Sequence, residues 1–467
     1  MRRPESSPRF VPAAALVAAF ILAVAGCSAG PSPAPTDAAI AARLDSIAQA
    51  ASGEGFSGLV VVHRGGKEIL ARGYGLANRA AGARFTPQTV VPIGSNVKDF
   101  TKLAIFALVE VGKLRLSDSL ATFFPAAPAD KRGITVDQLL DHRAGLPLGV
   151  APDEEPLEKA EFLARVWAKP LGSTPGTEER YSNAGYSLLA AIVEAVTGEA
   201  FDDHVARTIL APLGLAETGL RRPAFDPARL AHGYAAGRDL GTMLDRPHDA
   251  TGHLWSLRGN GGYLATAADQ LAFFRAIGGG ALLRDPANRA RVFDARMAGV
   301  FAGSDLVSAF LYANFPREGY ELVLASNQAE FPAMRLLTAF EPVLGLPERE
   351  RTTTHEIAPS APVELPTDGP WVTVRAWLDA FRAGDEAGMQ RFFATHAVSG
   401  PGAPPMERRL ENFQRMRGDF GEFTIRAART TPDGPELEIR TPQGERATIG
   451  FEFEPGGLLR GLRVQVG

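Results

Sequence analysis

Ser95 stands three residues before Lys98, at the head of an apolar stretch running through Phe100, Leu103, Phe106 and Leu108. On a helix, residues three apart share a face. A serine in the first turn meets free backbone N–H groups and the positive end of the helix dipole. Its own N–H is then placed to help hold an oxyanion. A lysine one turn away, in partly apolar surroundings, can carry a depressed pKa and accept the serine proton. Ser-x-x-Lys by itself is also what a solvated lysine near a helix start looks like. Lysine is scarce in this chain, however. All seven lysines fall between Lys67 and Lys169, and Lys98 alone has a serine three places before it.

A second group lies downstream. Tyr181-Ser182-Asn183 follows the turn Pro175-Gly176 and precedes a helical pattern from Tyr186 to Val196. On an extended loop, a tyrosine and an asparagine two apart point the same way. The phenol can shuttle a proton with lysine. The amide can bind Lys98 and a substrate amide or ester. The bland reading of such a tyrosine is a half-buried packing residue.

The elements that must position these groups can be read from the pattern. Ala38 to Ala50 is an alanine-rich amphipathic helix. Gly58 to His63 and Ile69 to Tyr74, joined by Arg64-Gly65-Gly66, read as a hairpin. A largely helical middle runs to about residue 278, where Gly278-Gly279-Gly280 ends a helix and, with no strand before it, forms no phosphate loop. Phe310 to Ser326 reads as another hairpin turning at Pro316-Arg317-Glu318-Gly319. The order predicts an α/β (α+β) fold with an antiparallel sheet.

Taken together, Ser95-x-x-Lys98 and Tyr181-x-Asn183 resemble the serine β-lactamase, penicillin-binding and esterase superfamily, in its class C-like branch. Further stretches are similar to that family: Gly112-Lys113-Leu114-Arg115-Leu116-Ser117-Asp118, Leu139-Leu140-Asp141-His142-Arg143-Ala144-Gly145-Leu146-Pro147, Pro212-Leu213-Gly214-Leu215, and Gly261-Gly262-Tyr263-Leu264-Ala265-Thr266. The resemblance covers about residues 38 to 345. It implies a β-lactamase-like antiparallel sheet flanked by helices, with the site between sheet and helical lobe. It also implies acyl transfer through Ser95, with Lys98 and Tyr181 moving protons and Asn183 orienting Lys98 and substrate. His142, beside Gly145-Leu146-Pro147, reads as a structural histidine of its loop.

The chain departs from the family at a third element, a Lys or His two residues before a glycine on a strand facing the nucleophile. The best match is Phe301-Ala302-Gly303-Ser304, which lacks the basic residue. No lysine follows Lys169, and no histidine lies between His253 and His355. Gly303 remains, and the N–H of Ser304 can still supply a second oxyanion donor, because that donor is backbone. Arg291 or Arg296 offers a positive charge, without a position that the sequence assigns. The departure weighs against substrates carrying a carboxylate, which need a cation, and less against esters. It also opens a reading without turnover: a scaffold on the same fold that binds cell-wall or protein partners.

The N-terminus reads as a targeting segment. Arg2 and Arg3 precede an apolar stretch from Val11 to Ala25, too short for a comfortable membrane span. It ends in Val24-Ala25-Gly26-Cys27, which resembles the bacterial lipobox, and Cys27 is the only cysteine. The expectation is a lipoprotein with a diacylglyceryl group on Cys27. Because Ser28 follows, its place would be the periplasmic face of the outer membrane. The domains expected are a signal peptide (1–26), a tether (27–37), the hydrolase domain (38–350), a linker (351–369) and a small C-terminal domain (370–467).

In that last domain, Trp371 to Arg382 reads as a helix ended by Gly384-Asp385. Two further helices follow, then four short strands separated by turn tripeptides. The order loosely resembles the cone-shaped α+β fold of the polyketide-cyclase-like and nuclear-transport-factor-like group. Trp377 and Phe381 read as its core.

A net charge of −4 and the absence of a basic run give no footprint for nucleic acid. His248 and His253, five apart without a nearby cysteine, make a poor metal site. The sequence therefore predicts no metal, no cofactor, and a small-molecule or peptidoglycan-like acyl substrate.

Overall fold

The computed structural model describes residues 35–346 and 365–466, apart from residues 154, 221–223, 236, 246–253, 307, 330, 332, 401–402, 422, 432–433 and 442–445. The expected leader, Cys27, most of the tether, the linker as far as residue 364, and His248 and His253 lie outside the described residues.

Helix α1 (Asp37–Gly53) leads into strands β1 (Gly58–Arg64) and β2 (Lys67–Tyr74). The helical section contains α2 (Val97–Glu110), α3 (Val136–Leu140), α4 (Asn183–Thr197) and α5 (Ala267–Gly278). Strands β3 (Gly299–Asp305), β4 (Ser308–Phe315) and β5 (Tyr320–Ser326) follow, then α6 (Ala333–Leu344). These five strands form one antiparallel sheet in the order β3-β4-β5-β1-β2. The chain's first hairpin thus pairs with the last strand of this sheet, Val61 lying opposite Val323.

The run Leu59-Val60-Val61-Val62 explains why β1 sits inside the sheet. Side chains alternate between the two faces of a strand, and all four of these are buried. Val60 and Val62 pack with Ile40, Leu44 and Ala48 of α1 and with Leu336, Leu337 and Phe340 of α6. Leu59 and Val61 face the other way, into the core built by α2, α4 and α5. Each such aliphatic side chain contributes about 1.5–3 kcal/mol when fully buried. Both faces are covered, so the strand reads as continuous apolar sequence rather than as an alternating one.

Three differences from the sequence reading bear on the site. Ser95 sits in a single 3-10 turn, Gly94–Asn96, and the α-helix begins only at Val97. The late hairpin gains a third strand, β3, paired with β4 so that Phe301 faces Tyr312. Its polar and small residues had hidden it from a periodicity argument. Asn183 is the first residue of α4, not part of an extended loop with Tyr181. Ser182 causes this: its hydroxyl accepts from the N–H of Gly185 at 3.0 Å and caps the helix.

After residue 364, α7 (Trp371–Ala383), α8 (Glu386–His396) and α9 (Met406–Phe420) precede a four-stranded antiparallel meander. Its strands are β6 (Thr424–Thr431), β7 (Gly434–Arg440), β8 (Arg446–Phe453) and β9 (Leu459–Val466). Helix α7 stops where Gly384 takes a left-handed φ of 75°. Trp377 and Phe381 are core residues here, packed with Phe413, Leu437, Ile449 and Phe451. Arg238, in a short hairpin of the larger lobe, pairs with Glu407 at 3.3 Å and Glu411 at 2.9 Å on α9.

Candidate active site

The nucleophile turn is gripped from both sides. Val91–Pro92 pairs with Leu264–Ala265, and the N–H of Ile93 donates to the carbonyl of Tyr263 at 3.0 Å. Opposite, the edge strand β3 lies directly on the turn. A Cβ on Gly303 would fall 2.2 Å from the Ser95 nitrogen, and one on Gly94 would fall 2.2 Å from the Ser304 nitrogen. Both positions therefore demand glycine, and Gly94 also takes a positive φ of 51°. This contact sets the backbone at Ser304 against the turn that carries the Ser95 nitrogen, so both N–H groups are candidates for an oxyanion pocket.

Lys98 rises from the first turn of α2 into the same place. Its Nζ donates to Ser95 Oγ at 3.0 Å and to the main-chain carbonyl of Asn260 at 3.0 Å. It also lies 4.8 Å from the centroid of the Tyr181 ring and 5.7 Å from that of Tyr186. The side chain is only 4% exposed. Burial drives its pKa down from 10.5 to about 7, against the opposing fields of Asp305, Asp153 and Asp99. An amine at that value is available as a base near neutrality.

Tyr181 donates from its hydroxyl to Ser95 Oγ at 2.9 Å. Its ring rests on His142, with centroids 4.4 Å apart, and the His142 ring rests in turn on Tyr186 at 4.9 Å. The N–H of Ser182 donates to His142 Nδ1 at 3.0 Å. That bond fixes the imidazole as an acceptor at Nδ1. Burial pushes the His142 pKa down to about 4, with Lys98 and Lys102 adding to the effect, so the ring stays neutral. His142 thus shapes the wall behind Tyr181 and is not a proton carrier.

The structure brings Ser95, Lys98, Tyr181, Gly303 and Ser304 together. It does not join Asn183 to Lys98. The main-chain N–H of Asn183 donates to Leu148 at 2.7 Å, and its Oδ1 is buried without a hydrogen-bond partner. The lysine is held instead by the Asn260 carbonyl. Neither arginine supplies the missing cation of the third element. Arg291 is engaged by Asp137 at 2.7 Å and Asp141 at 2.6 Å, while Arg296 pairs with Asp294 at 2.8 Å. Phe301, which occupies that place on β3, packs among Phe274, Phe293 and Tyr312.

Two contributors escaped the sequence reading. A main-chain carbonyl such as that of Asn260 leaves no residue-type signature, although the residue precedes the Gly261-Gly262 landmark. Asp305 follows Gly303-Ser304 directly, and its carboxylate accepts from the N–H of Gly262 at 2.8 Å. Among the described residues no group of three or more His, Cys, Asp or Glu side chains is placed to hold a metal ion.

Comparison with known proteins identifies the family and the fold. The Beta-lactamase family profile matches residues 38–330. Protein flp of Staphylococcus aureus (strain COL) is 30% identical over 183 residues, which is 38% of this chain and 37% of that protein. A putative penicillin-binding protein, PbpX of Bacillus subtilis (strain 168), is 30% identical over 165 residues, 35% of this chain and 41% of that protein. The chain thus spans well under half the length of these curated relatives. Among solved structures, EstCE1, described as a hydrolase with promiscuous acyltransferase activity, superposes with a TM-score of 0.55 at 23% identity. That match covers 66% of this chain and 99% of EstCE1, and it establishes the shared fold. With the matched profile spanning more than half of its length, the chain belongs to the Beta-lactamase family, a group of serine hydrolases on the β-lactamase fold.

Proposed function

We propose that this protein is an exported, lipid-anchored serine hydrolase that cleaves an ester or amide through an acyl-Ser95 intermediate, with esters favoured over β-lactams. The observation that carries the reading is the pair of hydrogen bonds on Ser95 Oγ, from Lys98 at 3.0 Å and Tyr181 at 2.9 Å. In its neutral form Lys98 takes the hydroxyl proton as Oγ bonds to the acyl carbon. The N–H groups of Ser95 and Ser304 hold the oxyanion. Tyr181 delivers a proton to the departing alcohol or amine and regains one from the Lys98 ammonium, and water then releases the acid and frees Ser95. With its pKa raised to about 12 the Tyr181 phenol keeps its proton at rest, so it serves as a relay and not as an acid of its own.

The preference for esters rests on Phe301. With that side chain packed among aromatic rings and Arg291 and Arg296 engaged elsewhere, no cation on β3 is offered to a substrate carboxylate. The same observation supports a second reading, a cleft that binds peptidoglycan or a protein partner without turnover. Hydrolysis of p-nitrophenyl butyrate and of a chromogenic penicillin, by wild type and Ser95→Ala, separates the two. Turnover of the ester that is lost in the variant supports the hydrolase. Equal background rates in both proteins support the binding cleft. The anchor on Cys27, the position at the outer membrane and the division into a hydrolase domain and a C-terminal domain are parts of the same proposal.

A further inference from the structure

Asp305 ends strand β3, one residue after Ser304, and is 8% exposed. An ionisable group is costly to bury unless it is used. Its Oδ2 accepts from the N–H of Gly262 at 2.8 Å. Its Oδ1 presses on Gly261 so closely that a Cβ there would lie 3.0 Å away. One side chain thus fastens two segments, the loop after Asn260 that holds Lys98 and the strand that carries the Ser304 N–H, and that strand in turn lies on the nucleophile turn at Gly94. We propose that Asp305 is a positioning residue for this site, tying the oxyanion strand to the loop whose Asn260 carbonyl holds Lys98, with its carboxylate charge acting on that lysine. The inference deepens the hydrolase reading and rests on it for its catalytic part alone.

The electrostatics agree. The charged groups around Lys98 are Asp99 and Lys102 on α2, Asp153 on the loop beyond Leu148, and Asp305 on β3. Asp305 is the foremost of those that hold the lysine pKa up against burial. Burial in turn raises the Asp305 carboxyl to about 7, with Asp153 adding to the rise and Lys98 opposing it.

The test uses the full chain labelled with [ε-13C]lysine. Its seven lysine signals are followed by NMR against pH in wild type and Asp305→Asn, and Lys98→Met identifies the Lys98 signal. Loss of the negative charge should lower the Lys98 midpoint by about one pH unit. In parallel, the rate of fluorophosphonate labelling is measured in Asp305→Asn and Asp305→Ala. Removing the clamp altogether should slow labelling about tenfold or more, since a displaced oxyanion donor no longer meets the developing charge. The Asn variant, which keeps one acceptor, should lose less. An unmoved Lys98 midpoint in Asp305→Asn overturns the proposal, as does undiminished labelling in a folded Asp305→Ala. If the Ala variant does not fold, the Asn titration decides. A wild type that does not label while its Lys98 midpoint moves refutes the hydrolase reading and leaves the clamp standing.

Discussion

Replacing Lys98 by methionine should abolish acyl transfer and yet make the protein more stable. The lysine is 4% exposed, and its pKa falls from 10.5 to about 7. At about 1.36 kcal/mol per pH unit, keeping this group in the fold costs about 5 kcal/mol near neutrality. Methionine has a similar length and no charge to desolvate. Its insertion leaves the Asn260 carbonyl without a donor, a loss of about 1–3 kcal/mol. The net gain is then about 2–4 kcal/mol, or several degrees in Tm. The sign of the pH dependence is specific. Between the folded and unfolded pKa values, pH 7 to 10.5, the unfolded chain holds the Lys98 proton and the folded chain does not. Wild-type stability therefore rises with pH across that window. The methionine variant lacks this contribution, so its advantage should be full at pH 7 and below, and should shrink toward pH 10. Calorimetric Tm values for both proteins at intervals from pH 6.5 to 9.5 measure it. A variant less stable than wild type at pH 7, or an advantage that does not narrow as pH rises, refutes the reasoning.

The remaining predictions address the oxyanion strand and the anchor. Gly303→Ala should cut esterase activity by about 100-fold or more while the chain still folds, because the new methyl must push β3 off the Ser95 nitrogen and take one oxyanion donor with it. A steady-state assay with p-nitrophenyl butyrate, with circular dichroism as the folding control, checks this. Activity close to wild type would mean that the Ser304 N–H is not a donor. Cys27→Ala should move the protein from the membrane fraction to the soluble periplasmic fraction, and unchanged fractionation would contradict the lipid anchor.

Much of the site was legible because its core is short-range. Ser95 and Lys98 meet through the three-residue spacing of a helical turn, which sequence displays directly. Tyr181 was found through its neighbourhood, but its stacking on His142 joins segments almost forty residues apart and has no local signal. The backbone at Asn183 is helical and not extended because Ser182 can either stay in a loop or cap a helix, and capping won. The strand β3 was hidden by its composition: Gly299, Gly303 and Ser304 are poor strand formers, and it is an edge strand held by β4 and by its contact with the nucleophile turn. The sheet core gave the opposite case. Leu59-Val60-Val61-Val62 announced a strand, yet its pairing with Tyr320–Ser326, over 250 residues away, belongs to tertiary structure alone.

The central claim is that Ser95 is an activated nucleophile. Intact-protein mass measured after incubation with a fluorophosphonate and, separately, with a penicillin tests it most directly, with wild type and Ser95→Ala side by side. The account predicts one fluorophosphonate adduct on wild type, none on the variant, and little or no penicillin adduct on either, because β3 presents no cation to the penicillin carboxylate. A folded wild type that takes up neither reagent, or a Ser95→Ala variant labelled as fully as wild type, would contradict it.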